Sequence, residues 1–147
     1  RLNLPEYSFK LKNNGNQEMI WDTIRQKYIV LTPEEWVRQN FIAYLIHEKN
    51  YPAARIAIEK EITVHKNRRR FDTLVYNSSM TPNLIIEFKS TKVEIKQNVF
   101  EQIAGYNIAC KVEYLIVSNG IRHFCCKVDI ENKTYAFINN IPDYSKI

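Results

Sequence analysis

Residues 71–90 read FDTLVYNSSMTPNLIIEFKS. Two runs rich in branched and aromatic residues, 71–76 and 83–89, flank NSSMTP at 77–82, whose Asn, Ser and Pro are turn formers. The pattern predicts two strands joined by a turn. Three charges interrupt it: Asp72, Glu87 and Lys89. Residues two apart in a strand share a face, about 6.5–7 Å apart along the chain. Glu87 and Lys89 therefore stand side by side, while Ile86 and Phe88 turn the other way, into core. Asp72 opens the neighbouring strand, where a hairpin-like pairing brings it close to Glu87.

The elements on either side fill in a fold. Residues 1–17 are polar and read as an irregular lead-in. EMIWDTIRQKYIVL at 18–31 reads as a strand or hairpin, with Arg25-Gln26-Lys27 near its turn. Thr32 is a good N-cap, Pro33 suits the first helical position, and Glu35 falls where a capping box requires it. A helix to about Lys49 follows, its apolar face made by Val37, Phe41 and Leu45 with Ile42 and Tyr44. Further strands are predicted at 55–64, 113–118, 122–130 and 134–138, with a hairpin turn at Asn119-Gly120. A second helix covers 93–110, with Val99, Phe100, Ile103, Tyr106 and Cys110 on one side. The order is β-hairpin, α, β, β, β, α, β, β, β. Strands grouped between helices point to an α/β sandwich with a mixed sheet. With three glycines and no repeat, residues 1–147 read as one domain with its core at about 18–138.

Composition narrows the function. A net charge of +5 suits a polyanionic partner. No apolar run approaches the ~20 residues needed to cross a bilayer, which predicts no membrane partner. Cys110, Cys125 and Cys126 form no CxxC pair and are odd in number, so they read as free thiols of a reducing cytoplasm. Cys125 and Cys126 point to opposite faces of their strand. No GxxxxGK[ST] loop occurs, so no ATP site is expected in this chain.

The chemistry concentrates at Asp72, Glu87 and Lys89. Two neighbouring carboxylates repel, and each tends to hold a proton. A divalent cation removes the conflict. Mg²⁺ prefers few protein carboxylates, several waters and phosphate oxygens, and Asp72, Glu87 and the Phe88 carbonyl supply such a half-filled shell. Lys89 is placed to orient the attacking water, assist its deprotonation or stabilise phosphorane charge. The set fits phosphodiester hydrolysis; no Ser/His or Cys/His nucleophile pairing is suggested. Lys66-Asn67-Arg68-Arg69-Arg70 runs directly into Phe71-Asp72, and its arginines suit DNA phosphates, with Lys92 and Lys96 extending the patch. His47, His65 and His123 lack ligand spacing. Glu59 and Glu61 read as a solvated strand face, from which one could reach a metal.

Asp72, a spacer, then Glu87-Phe88-Lys89 resembles the D…ExK core of the PD-(D/E)xK nucleases, with Phe71 where a proline often precedes the Asp. Gln102-Ile-Ala-Gly-Tyr106 is similar to the QxxxY motif of the RecB-like branch. Thr32-Pro33-Glu34-Glu35-Trp36-Val37-Arg38-Gln39 and Leu115-Ile-Val-Ser-Asn-Gly120 resemble the N-terminal nuclease domain of type I restriction enzyme R subunits. The likeness covers roughly residues 20–130.

It implies a restriction-endonuclease-like fold, a mixed central β-sheet flanked by α-helices. It also implies a Mg²⁺-dependent DNA endonuclease, with Mn²⁺ as a possible substitute. In that reading Asp72 and Glu87 hold the metal with the Phe88 carbonyl. Glu34 completes the shell, with Glu35 as its alternative, and Lys89 serves the attacking water. Gln102, Tyr106, Arg68, Arg69, Arg70 and Arg38 bind or position DNA. Partners would be DNA, other restriction-modification subunits and an ATP-driven translocase too large for 147 residues. The alternatives are a non-catalytic nucleic-acid-binding module that keeps the fold, and a basic interaction scaffold.

Overall fold

The computed structural model describes residues 1–64 and 67–147. The readings made on His65 and Lys66 lie outside the described residues. The chain forms nine described strands and two α-helices: β1 Leu11–Asn14, β2 Gln17–Asp22, β3 Lys27–Val30, α1 Pro33–Glu48, β4 Ile56–Val64, β5 Asn67–Tyr76, β6 Pro82–Phe88, α2 Gln97–Cys110, β7 Tyr114–Ser118, β8 His123–Asp129 and β9 Thr134–Ile138.

β4 to β9 form one six-stranded sheet in sequence order. Every pair is antiparallel except β6 with β7. A parallel pair needs a crossover, and α2 supplies it. The sheet is therefore mixed, as expected, and the α/β architecture is compatible with a restriction-endonuclease-like fold. β6 explains why its sequence is almost continuously apolar, because it is buried on both faces. Leu84, Ile86 and Phe88 pack with Val37, Phe41 and Leu45 of α1. Ile85, one residue out of phase, packs with Phe100, Ile103 and Ala104 of α2. Cys125 joins the α1 layer and Cys126 the α2 layer, so the two thiols do face opposite ways.

Four boundaries differ from the sequence reading. The lead-in contains β1, because Gly15 at φ 66 makes a two-residue turn that pairs Asn14 with Gln17. The first unit is thus a three-stranded sheet, β1-β2-β3, and not a hairpin. β5 starts at Asn67, so the arginine run is strand, cross-paired through Thr63↔Arg68, Ile62↔Arg69 and Glu61↔Arg70. α2 starts at Gln97, after a turn in which the Val93 N–H bonds the Ser90 carbonyl. Asn119-Gly120 begins a four-residue turn closed by Ser118↔His123, with Asn119 Oδ1 accepting from the Ile121 and Arg122 amides.

Gly120 cannot be another residue without cost. Its φ is 87, and a Cβ there would lie 2.7 Å from Leu2 Cδ2 and 3.1 Å from Val37 Cγ2. The N-terminal segment therefore crosses this turn, held by the Asn3 N–H on the Gly120 carbonyl. The C-terminal tail is also packed, since Ile141, Tyr144 and Ile147 lie against the α1 layer. Among the described residues, no helix is long and apolar enough to cross a membrane.

Candidate active site

The β5–β6 ladder stops short of the charged residues, and this opening creates the site. Its end pair is Thr73↔Ile86. Beyond it a side chain replaces the backbone: Asp72 Oδ2 accepts the Phe88 N–H at 2.9 Å. The Lys89 N–H bonds the Ser118 carbonyl of β7 at 2.9 Å. The middle of β5 and the ends of β6 and β7 are thereby tied together where the charges cluster. On the other edge of β5, pairing runs through Ile58↔Thr73 and resumes at Lys60↔Phe71. Between them Glu59 takes a left-handed φ of 53, uncommon for any residue with a side chain and strained within a strand.

Asp72 is held from the α1 side. Its Oδ1 accepts from Arg38 Nη2, and its side chain is only 12% exposed. Burial pushes its carboxyl up and the Glu34 charge adds to this, while Arg38 and the Phe88 amide pull against them; the net direction is upward. Glu87 is moved further. Burial and then the Asp72 charge raise it to about 7, against the opposing Asp72 amide, Lys89 and Arg38. Two hard oxygen donors thus lie where the Asp72 charge disfavours ionisation of Glu87, which a cation would relieve. Among the described residues, no group of three or more His, Cys, Asp or Glu side chains lies at metal-binding range. The carboxylate pair fits a cation that keeps most of its ligands as water and phosphate, as Mg²⁺ does.

The two helix acids part company. Glu35 is buried and bonded to Arg25 Nη2 at 2.9 Å, Arg38 Nη1 at 3.2 Å and Gln39 Nε2 at 3.0 Å. Its amide takes the Thr32 cap at 3.0 Å, but its carboxylate goes to the arginines, so only half of the expected capping box forms. Glu34 is exposed, and its charge reaches Asp72. Arg25 in turn grips the fully buried Asp22, whose Oδ2 accepts from Arg25 Nε at 2.6 Å. A charged chain thus runs Asp22, Arg25, Glu35, Arg38, Asp72. Arg38, expected on DNA, spends its reach on this chain, although its buried Nε has no partner among the described residues.

On the α2 side the remaining residues line one groove of about 360 Å³. Its walls include Arg68, Arg69 and Arg70 of β5, Glu87 and Lys89 at the end of β6, and Gln102 and Tyr106 of α2. Gln102 Nε2 lies 3.4 Å from the Tyr106 hydroxyl, and the Arg69 guanidinium sits 5.0 Å over the Tyr106 ring. Arg68 pairs with Glu61 and Arg70 with Glu59. Asp72 is not part of this lining; it faces Arg38.

Sequence reasoning missed Arg25, the Glu35 hub and the bent Glu59. Nothing in EKE at 59–61 marks a left-handed residue, and ion pairs 34 residues apart leave no spacing signal. It also missed a Ser/His pair: Ser118 Oγ lies 2.7 Å from His123 Nδ1. That serine is fully buried and accepts the Gly120 amide, while His123 Nε2 meets the Asn3 carbonyl at 2.8 Å. The pair fastens the N-terminal segment through Asn3. His47 stacks on Tyr7 at 5.6 Å.

The raised Glu87 has a measurable consequence in chelator. Its folded-state proton is held more tightly than in the unfolded chain, whose carboxyl titrates near ~4.3. That contribution to stability is complete below ~4.3 and is lost as pH rises through about 7. Urea midpoints between pH 4.5 and 8 should therefore fall more steeply for the native protein than for Glu87→Gln. Parallel profiles would show that Glu87 is not perturbed.

The family described as Type I restriction enzyme R protein N terminus (HSDR_N) matches residues 33–142. No curated protein matches the chain.

Proposed function

We propose that the chain, which belongs to the type I restriction enzyme R protein N-terminal family, is a divalent-cation-dependent DNA endonuclease domain that hydrolyses phosphodiester bonds. The observation carrying this reading is the opened end of the β5–β6 ladder, where Asp72 and Lys89 act on Glu87 beside the arginine-lined groove. Family membership sets a restriction-modification context; DNA as substrate and other subunits as partners belong to the proposal, as does a reducing, cytoplasmic setting for the free thiols.

Asp72 and Glu87, with the Phe88 carbonyl, would hold Mg²⁺ or Mn²⁺, and Glu34 would contribute from the helix terminus. When bound, such a cation makes water a usable nucleophile and neutralises phosphate charge. Arg38 keeps Asp72 oriented. Lys89, fixed through its backbone to β7, offers an ammonium to the attacking water or the developing phosphorane. Arg68, Arg69 and Arg70 bind the backbone, while Gln102 and Tyr106 shape the wall against which DNA lies.

A second reading draws on the Arg38–Asp72 pair, which already neutralises one expected metal ligand. In that case the domain binds DNA without cutting it. Relaxation of supercoiled plasmid with Mg²⁺ or Mn²⁺ separates the two. The native domain should nick and stop in chelator. Lys89→Ala should bind DNA within twofold of native by fluorescence anisotropy yet nick roughly 10²-fold more slowly, the scale of losing one charge-stabilising donor. A native protein that binds but never nicks with either cation leaves only the binding module.

A further inference from the structure

Glu59 is the feature the nuclease reading does not use. Its carboxylate is surrounded by guanidinium groups. Oε2 takes a hydrogen bond from Arg70 Nη2, and Oε1 lies 3.8 Å from Arg25 Nη1 and 3.7 Å from Arg38 Nη1. The other carboxylates on these arginines are nearly closed off, with side-chain exposures of 1% for Asp22, 7% for Glu35 and 12% for Asp72. Glu59 is 43% exposed. Its backbone also takes the left-handed φ of 53 at the gap in the β4–β5 pairing. Strain of this kind persists where the surroundings hold it, and it collects at working sites.

We propose that Arg25, Arg38 and Arg70 form a phosphodiester subsite beside Asp72, which Glu59 occupies in the free protein as an internal stand-in for a DNA backbone phosphate. The exchange conserves charge, because one monoanionic carboxylate leaves and one monoanionic phosphodiester arrives. The two contacts beyond hydrogen-bonding distance, to Arg25 and Arg38, make Glu59 the exchangeable anion of the cluster. Arg70 is the hinge of the exchange. It is 66% exposed, it lines the groove, and its carboxylate partner is Glu59. Strand β4 thus carries a self-blocking contact that DNA must displace before Arg70 can reach a phosphate. This rests on DNA being the ligand, as proposed above.

The test is DNA affinity across salt, in chelator, for the native protein, Glu59→Gln, Arg70→Ala and the double variant, using a fluorescent duplex. Glu59→Gln should bind roughly two- to fivefold more tightly, the range of one exposed ion pair. Arg70→Ala should abolish that gain in the double variant and lower the salt slope of Glu59→Gln by about one phosphate contact. A gain that persists without Arg70 is bulk charge and overturns the subsite, as does no gain at all. If Glu59→Gln folds poorly, Glu59→Gly removes the same carboxylate where glycine accepts a positive φ, and the same two outcomes apply. Failure of every protein to bind DNA would instead remove the nuclease reading, and this inference with it.

Discussion

Glu87→Gln should stop cation-dependent nicking while making the cation-free protein more stable above neutral pH. The two effects share one cause. Glu87 is half-buried near Asp72, and its carboxyl is raised to about 7, chiefly by desolvation. At pH 8 the native protein therefore keeps an ionised carboxylate in a place that disfavours it. Glutamine has nearly the same shape and no charge, so the repulsion with Asp72 disappears and the melting temperature in chelator should rise. The same change removes one of two carboxylates proposed to hold the cation. A loss of several kcal/mol in charge stabilisation corresponds to roughly 10³-fold or more in nicking rate. A functional residue whose removal stabilises the fold is a signature of a working site. The measurements are plasmid relaxation with Mg²⁺ and thermal melts in chelator at pH 8. A variant that nicks within tenfold of native, or melts lower in chelator, would contradict the placement of Glu87.

The mixed sheet was legible because helices separate the groups of strands; which pair is parallel, β6 with β7 across α2, is supplied by the structure. The side-by-side arrangement of Glu87 and Lys89 followed from the period of two, and both line the groove with Gln102 and Tyr106. What sequence could not show was where pairing stops. Asp72 was expected to meet Glu87 across a continued ladder; the structure instead ends that ladder at Thr73 and uses the Asp72 carboxylate to hold the Phe88 amide. The other oxygen of that carboxylate takes Arg38, which arrives from α1. The charged chain through Asp22, Arg25 and Glu35 was invisible for the same reason, since its members lie on β2, its turn and α1. β1 was missed through attention to polarity, when Gly15 in a two-residue turn was the better guide.

Arg38→Ala should cost the fold more than any other single change in this region. Arg38 is 6% exposed and bonds two acids, the buried Glu35 through Nη1 and the largely covered Asp72 through Nη2. Replacing both ions of such a pair by apolar groups is often tolerated, but removing one leaves its partner charged and dry. Here one truncation leaves two. Glu35 retains Arg25 and Gln39, so its loss is partial; among the described residues Asp72 retains the Phe88 amide alone. The expected destabilisation is about 3–5 kcal/mol, the range for breaking a buried pair. For a chain of this size that lowers the melting temperature on the order of 10 °C. The loss should shrink as pH falls, because Asp72, already raised by burial, takes a proton and no longer needs the guanidinium. Arg38→Lys should fall between, since one ammonium cannot fork to both acids. Adding Asp72→Asn to Arg38→Ala should recover part of the stability at pH 8, as the stranded charge is gone. Urea unfolding of the three variants at pH 5 and pH 8 measures all of this. A pH-independent loss below ~1 kcal/mol would mean that solvent screens the cluster as it does at an open surface, and that α1 positions Asp72 by packing alone.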